Sequence, residues 1–235
     1  MPSVYLIGGG RGEDAVRASH APFVHAVGEQ AIVVLVLDEG DDTDVDRWTG
    51  ALTSSGATDV RAVAVSKDRP PTAEDVAGAG GVFVAGGLTP GYQEALVGAG
   101  TDWLPRDVVY GGFSAGAAIA GEWAIVGGWR LGEREVCAEE AGEDLERLAV
   151  RAGLGLVPFA VDVHATQWGT LTRLVHAVDA GLAVEGWAID EGTVLVAGDG
   201  PPRVEGLGSA YRVAREGERV CVAVAADTAG APRPA

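Results

Sequence analysis

The residues best suited to chemistry lie at Gly112-Phe113-Ser114-Ala115-Gly116-Ala117, a G-x-S-x-G sequence between an apolar run and a stretch of small residues. A strand-to-helix turn of this kind lifts a serine hydroxyl clear of the backbone, and its glycines remove Cβ atoms that would clash in so tight a bend. The Ala115 N–H then opens a helix and faces any oxyanion that forms beside Ser114. The plainer alternative is a Gly/Ala-rich turn in which Ser114 only caps the helix.

A serine nucleophile needs a base and an acid to orient it. Of the four histidines, His20 and His25 fall in the first helical stretch and read as surface or packing residues. His176 lies within another helical stretch. His164 instead follows an apolar strand directly, in Asp162-Val163-His164, and catalytic groups of open α/β sheets collect beyond the carboxyl ends of strands. The candidate acids are Asp162, Asp190 and Glu191, the last two adjacent in a turn where one side chain can point in while its neighbour points out.

Elements able to hold such groups are legible as short β-branched runs at Val4–Ile7, 31–37, Val60–Val65, 81–85 and 107–111, each bounded by Gly, Asp or Pro. Continuous apolarity is the mark of parallel strands covered on both faces. Helical stretches at Glu13–Val27 and 44–55 alternate with them. The pattern predicts βαβ units and an α/β three-layer sandwich around a mostly parallel, doubly wound sheet. In the second half, 123–136 reads as a small excursion and 139–151 as a polar, helix-compatible stretch. A strand at 156–163 and a helix at 166–180 follow. Residues 184–189 and 193–196 read as a hairpin-like pair, with final strands at 210–213 and 220–224. One domain is expected over 1–224, with a frayed Ala/Pro/Gly tail at 225–235.

Composition narrows the partners. Seventeen basic against 34 acidic residues leave a net charge of -17, which repels nucleic acid and anionic membranes. Two cysteines, Cys137 and Cys221, carry no metal-ligand spacing, and no metal or organic cofactor is expected. With no signal peptide and no apolar run of membrane-spanning length, the reading is a soluble cytoplasmic protein.

Ser114, His164 and Glu191, in that order on an α/β sandwich, resemble the peptidase E and cyanophycinase family of serine peptidases. Its fold is related to class I glutamine amidotransferases. The opening Val4-Tyr5-Leu6-Ile7-Gly8-Gly9-Gly10 resembles the family's first strand and glycine turn. Val82-Phe83-Val84-Ala85-Gly86-Gly87, Gly153-Leu154-Gly155-Leu156 with Asp162-x-His164, and Ile189-Asp190-Glu191-Gly192-Thr193 match further segments in order. The resemblance implies Ser114 as nucleophile, His164 as general base and Glu191 as its orienting acid. It places the oxyanion hole at the Ala115 N–H with an amide of Gly87 or Leu88, and allows a homodimer.

The departures lie in the pocket. Leu88-Thr89 stands where the family carries Asn or Asp and then Thr or Gln. Trp168 and Thr170 stand where it carries arginines, so that only Arg173 is kept. These changes predict a small peptide-like amide substrate that is not aspartyl, contacted by Thr89, Asp162, Trp168 and Arg173. Arg173 would hold one carboxylate and Trp168 an apolar or aromatic group. The alternatives are an esterase or other acyl hydrolase or transferase on the same fold, or a non-catalytic binding protein.

Overall fold

A computed structural model describes residues 3–40 and 43–227. Its first half alternates as expected: β1 (Val4–Ile7), α1 (Glu13–Val27), β2 (Ile32–Leu37), α2 (Val45–Ser54), β3 (Val60–Val65), β4 (Gly81–Val84), α3 (Thr89–Leu96) and β5 (Val109–Phe113). Every residue of β1, β2 and β4 is buried, which is why these runs are apolar throughout. The helix α1 turns His20, Phe23, Val24 and Val27 inward, an i, i+3, i+4, i+7 stripe.

After the short helix α4 (Ala115–Ala118) come β6 (Trp123–Gly127), the tiny hairpin β7 (Arg130–Leu131) and β8 (Arg134–Glu135), β9 (Ala149–Ala152), β10 (Ala160–Val163) and α5 (Thr170–Asp179). The chain ends in β11 (Glu185–Ile189), β12 (Thr193–Gly198), β13 (Gly200–Gly206), β14 (Ser209–Glu216) and β15 (Arg219–Ala226).

The fold is mixed α/β, with helices flanking two large sheets. The first runs β13-β12-β1-β5-β4-β2-β3, parallel from β1 to β3, with β12 and β13 added antiparallel. The second runs β15-β14-β11-β10-β6-β9, in which only β11-β10-β6 is parallel.

Three expectations are corrected. Residues 184–189 and 193–196 are not paired: β11 joins the second sheet and β12 crosses to the first, alongside β1. The turn at Asp190-Glu191-Gly192 therefore links the two sheets instead of closing a hairpin. The polar stretch 139–151 is not a helix beyond a single 3-10 turn at Glu139–Ala141; it continues as a loop with Glu143 and Asp144 at positive φ and ends in β9. The strand β15 runs on to Ala226, pairing Ala225 with Ala210, while the rest of the expected tail from 228 lies outside the described residues.

Candidate active site

The glycine turn after β1 gathers the three chemistry-bearing segments. Ser114 N–H donates to Ile7 O at 2.9 Å, His164 N–H to Gly8 O at 2.9 Å, and Gly192 N–H to Gly9 O at 2.8 Å. Three consecutive carbonyls thus fix the ends of β5, β10 and β11 against one another. Such a backbone path forbids side chains. A Cβ on Gly8 would run into the Ile189 and Asp190 carbonyls, and one on Gly9 into the imidazole of His164.

The serine turn is as tight as its sequence requires. Ser114 sits at φ 50 and ψ -108, outside the regions most residues occupy. A Cβ on Gly112 would overlap the Gly116 carbonyl, and one on Gly116 the Val84 carbonyl. Tyr110 Oη donates to Gly116 O at 2.7 Å and pins the turn from below. His164 is held at φ 56, a second strained residue in the same place.

These backbones bring three side chains into line. Ser114 Oγ lies 2.9 Å from His164 Nε2, and His164 Nδ1 lies 2.7 Å from Glu191 Oε1. With Glu191 ionised, Nδ1–H donates to its carboxylate, which leaves Nε2 to accept from the serine hydroxyl. Burial pulls the His164 pKa below its ordinary value, and the Glu191 bond opposes that pull. Gln167 Oε1 accepts from the Glu191 N–H at 3.0 Å and steadies the acid. Asp190, the rival acid, is turned away. Its carboxylate takes the Thr166 N–H and hydroxyl, the Ser209 N–H and the Tyr211 hydroxyl, tying the segment after His164 to β14.

The line opens into a cleft of about 1160 Å³. Gly87, Leu88, Trp168 and Glu191 line it beside Ser114 and His164. The Leu88 N–H points to Glu39 Oε1 at 3.4 Å. The Ala115 N–H, first in its helix, has no intrahelical acceptor.

Three of the expected pocket residues do not line it. Thr89 is buried at the start of α3, and its N–H donates to Glu143 Oε2 at 3.0 Å. Arg173 and Asp162 form a buried pair: Arg173 Nε meets Asp162 Oδ2 at 2.9 Å and Nη2 meets Oδ1 at 2.7 Å. The reason is helical phase. Thr170, Arg173, Leu174, Ala177 and Val178 form the inward stripe of α5, so the guanidinium enters the core, where Asp162 on β10 neutralises it. Burial alone would lower the Arg173 pKa, but the Asp162 carboxylate outweighs it and holds the value above the ordinary one. The remaining N–H groups reach the Ala141 carbonyl at 2.5 Å and Gly128 at 3.4 Å. Arg173 braces the loop that carries Glu143.

The acids of that loop went unrecognised in the sequence, where their run reads as a polar, helix-compatible stretch. Glu139, Glu140, Glu143, Asp144 and Glu146 all line the cleft, joined by Glu39 and Asp44 from the segment after β2. Arg11 and Arg47 are the cationic side chains among the described lining residues. Burial raises the Glu143 pKa, tempered by the Thr89 N–H. Among the described residues no cluster of three His, Cys, Asp or Glu is arranged to hold a metal ion, and no helix is long and apolar enough to cross a membrane.

Solved structures share this architecture. A peptidase from an acI-B1 Actinobacterium aligns over 94% of both chains at 16% identity, with a TM-score of 0.65. A protein from Listeria monocytogenes EGD-e bearing the name "Putative Peptidase E Protein" aligns over 88% of this chain and 100% of its own at 15% identity, TM-score 0.58. The fold is peptidase E-like. No protein-family model and no curated protein matches the chain.

Proposed function

We propose that this protein is a serine hydrolase of the peptidase or amidase type, acting on a small peptide-like amide through an acyl-enzyme on Ser114. The observation that carries the reading is the unbroken Ser114–His164–Glu191 hydrogen-bond line at the mouth of a cleft. The fold of peptidase structures supports it.

In this reading Ser114 Oγ attacks the amide carbon while its proton passes to His164 Nε2. The negative charge moves to the carbonyl oxygen, facing the Ala115 N–H and the amide of Gly87, or that of Leu88 once it leaves Glu39. As the C–N bond breaks, Nε2–H protonates the leaving amine. Water then attacks the ester on Ser114 and gives its proton to Nε2, and the acid leaves as Oγ recovers a proton. Glu191 balances the imidazolium in both halves.

The cleft supports a substrate that is not aspartyl. Seven carboxylates besides Glu191 face it against two guanidiniums, and the arginine expected to receive an acidic group is buried on Asp162. A fluorophosphonate probe with intact-mass analysis tests the reading. One adduct is expected, mapping to Ser114 and lost in Ser114→Ala. His164→Ala should slow it by about 10³-fold or more, with Glu191→Gln losing less. A chain that takes up no probe would be a binding protein on a hydrolase fold.

A further inference from the structure

Trp168 lies flat on His164. The ring centroids are 3.9 Å apart and the planes differ by 7°. The chain builds this stack locally. With His164 at φ 56 the backbone doubles back, Trp168 N–H donates to His164 O at 2.9 Å, and Thr166 is anchored to Asp190 on the way round. Gly169 at φ 72 then releases the chain into α5. The ring also packs against the backbone of Gly9, where no side chain would fit. The imidazole is confined by a glycine and an indole. Turning it out of line with Ser114 and Glu191 would require the indole to move.

The geometry also has an electronic meaning. Two neutral aromatic rings prefer offset or edge-to-face contacts with centroids about 4.5–7 Å apart, because their negative faces repel. A cation over an indole face is instead attracted, and tryptophan is the strongest partner for it. A close, parallel stack therefore suits the imidazolium better than the neutral imidazole.

From this we infer that Trp168 is a positioning residue for His164, holding its ring in line and favouring the imidazolium that forms in each acyl-transfer step. The inference rests on His164 being the base of the proposed hydrolase. It differs from a substrate-binding role, which would leave His164 itself unaffected. The other groups acting on the ring are Glu191 at Nδ1, Ser114 at Nε2, and the more distant Asp162 and Arg173, which carry opposite charges. Trp168 is uncharged, so its contribution is separable from theirs. At 44% exposure it can be replaced without opening the core.

The test compares Trp168→Leu, which keeps an apolar cover but no π face, with Trp168→Phe, which keeps one. The His164 Cε1–H resonance, assigned by its loss in His164→Ala, is titrated by NMR in the full chain, and the fluorophosphonate rate is followed against pH. Trp168→Leu should lower the His164 pKa by about half a unit or more and slow labelling about threefold or more, with Trp168→Phe restoring most of both. A His164 titration unmoved in Trp168→Leu overturns the inference. The NMR measurement needs no turnover, so it decides the matter even if the probe leaves Ser114 untouched, an outcome that would instead overturn the hydrolase reading.

Discussion

Gly9 backs directly onto the imidazole of His164, so closely that a methyl group at position 9 would occupy the volume of the ring. Gly9 is also at φ 109, a conformation that L side chains rarely adopt. Gly9→Ala should displace the base by about 1 Å, because the added methyl carbon would start 2.1 Å from the ring. Misplacements on that scale cost about 10²-fold in rate. The expected result is a fluorophosphonate rate down by about that factor, with a circular dichroism spectrum close to that of the parent chain. A variant that labels at the parent rate would mean that the ring is held elsewhere.

Arg173 is where a motif and a fold disagree. It matches one position of the arginine-rich segment of the resembled family, and by sequence alone it reads as a carboxylate receptor. Its helical phase says otherwise, since Thr170, Leu174, Ala177 and Val178 share its face and are all buried. Removing one member of a buried ion pair strands the other, at about 3–5 kcal/mol. Arg173→Met should therefore lower Tm by roughly 6–20 °C. The double variant Arg173→Met/Asp162→Leu should recover much of that loss. A change in KM with an unaltered Tm would return Arg173 to the substrate.

The buried strands β1, β2 and β4 were legible because a covered parallel strand must be apolar along its whole length, and the Ser114 turn because its glycines have no substitute. The second sheet was hidden. The segments 184–189 and 193–196 look like a hairpin, and local pattern cannot reveal that β12 leaves to join β1 far earlier in the chain, pairing Ala197 with Val4. The choice of Glu191 over Asp190 also depends on long-range partners, the Ser209 N–H and the Tyr211 hydroxyl claiming Asp190. The acids at 139–146 were visible as charge. Their placement around the cleft was not, because a loop braced by Arg173 has no periodicity to read.

The base sets the pH dependence. In the proposed reaction only a neutral His164 could take the serine proton, and burial places its pKa below the ordinary 6.5 or so. The labelling rate should rise with pH through that lower value and be flat from about pH 7 upward. A rate still climbing between pH 7 and 8 would assign the base to another group.

A second buried histidine adds to the pH dependence of stability. His20 is fully buried between Phe83 and Phe113, and burial, opposed by its bond to the Val16 carbonyl and helped by Arg47, lowers its pKa to about 4. Between about pH 6.5 and 4 the unfolded chain binds a proton there that the folded chain refuses, so stability rises with pH across that window. The contribution is complete above about 6.5 and falls by up to about 3 kcal/mol on reaching pH 4. His20→Phe removes this titration. Urea melts at pH 7 and pH 4.5 should show a smaller acid loss in the variant; equal losses in both chains would place the proton elsewhere.

The carboxylates over the cleft should act on substrate charge. Two charges about 6 Å apart at an effective dielectric constant near 20 interact by roughly 3 kcal/mol, and solvent at an open cleft reduces that severalfold. Even about 1.4 kcal/mol separates two substrates tenfold. An acidic group entering between Glu39 and the 139–146 loop meets repulsion from several such charges, whereas an arginine or lysine side chain meets attraction. Among otherwise matched dipeptide amides, the expected order of kcat/KM is basic over neutral over acidic, with at least tenfold between the ends. Salt is the control, because about 1 M shortens the screening length to about 3 Å and should compress the series. Replacing Glu143 and Asp144 with Gln and Asn should compress it in the same way at low salt. An aspartyl substrate cleaved fastest at low salt would mean that the acids do not face the bound acyl group, and that specificity resides in the Leu88 and Trp168 contacts instead.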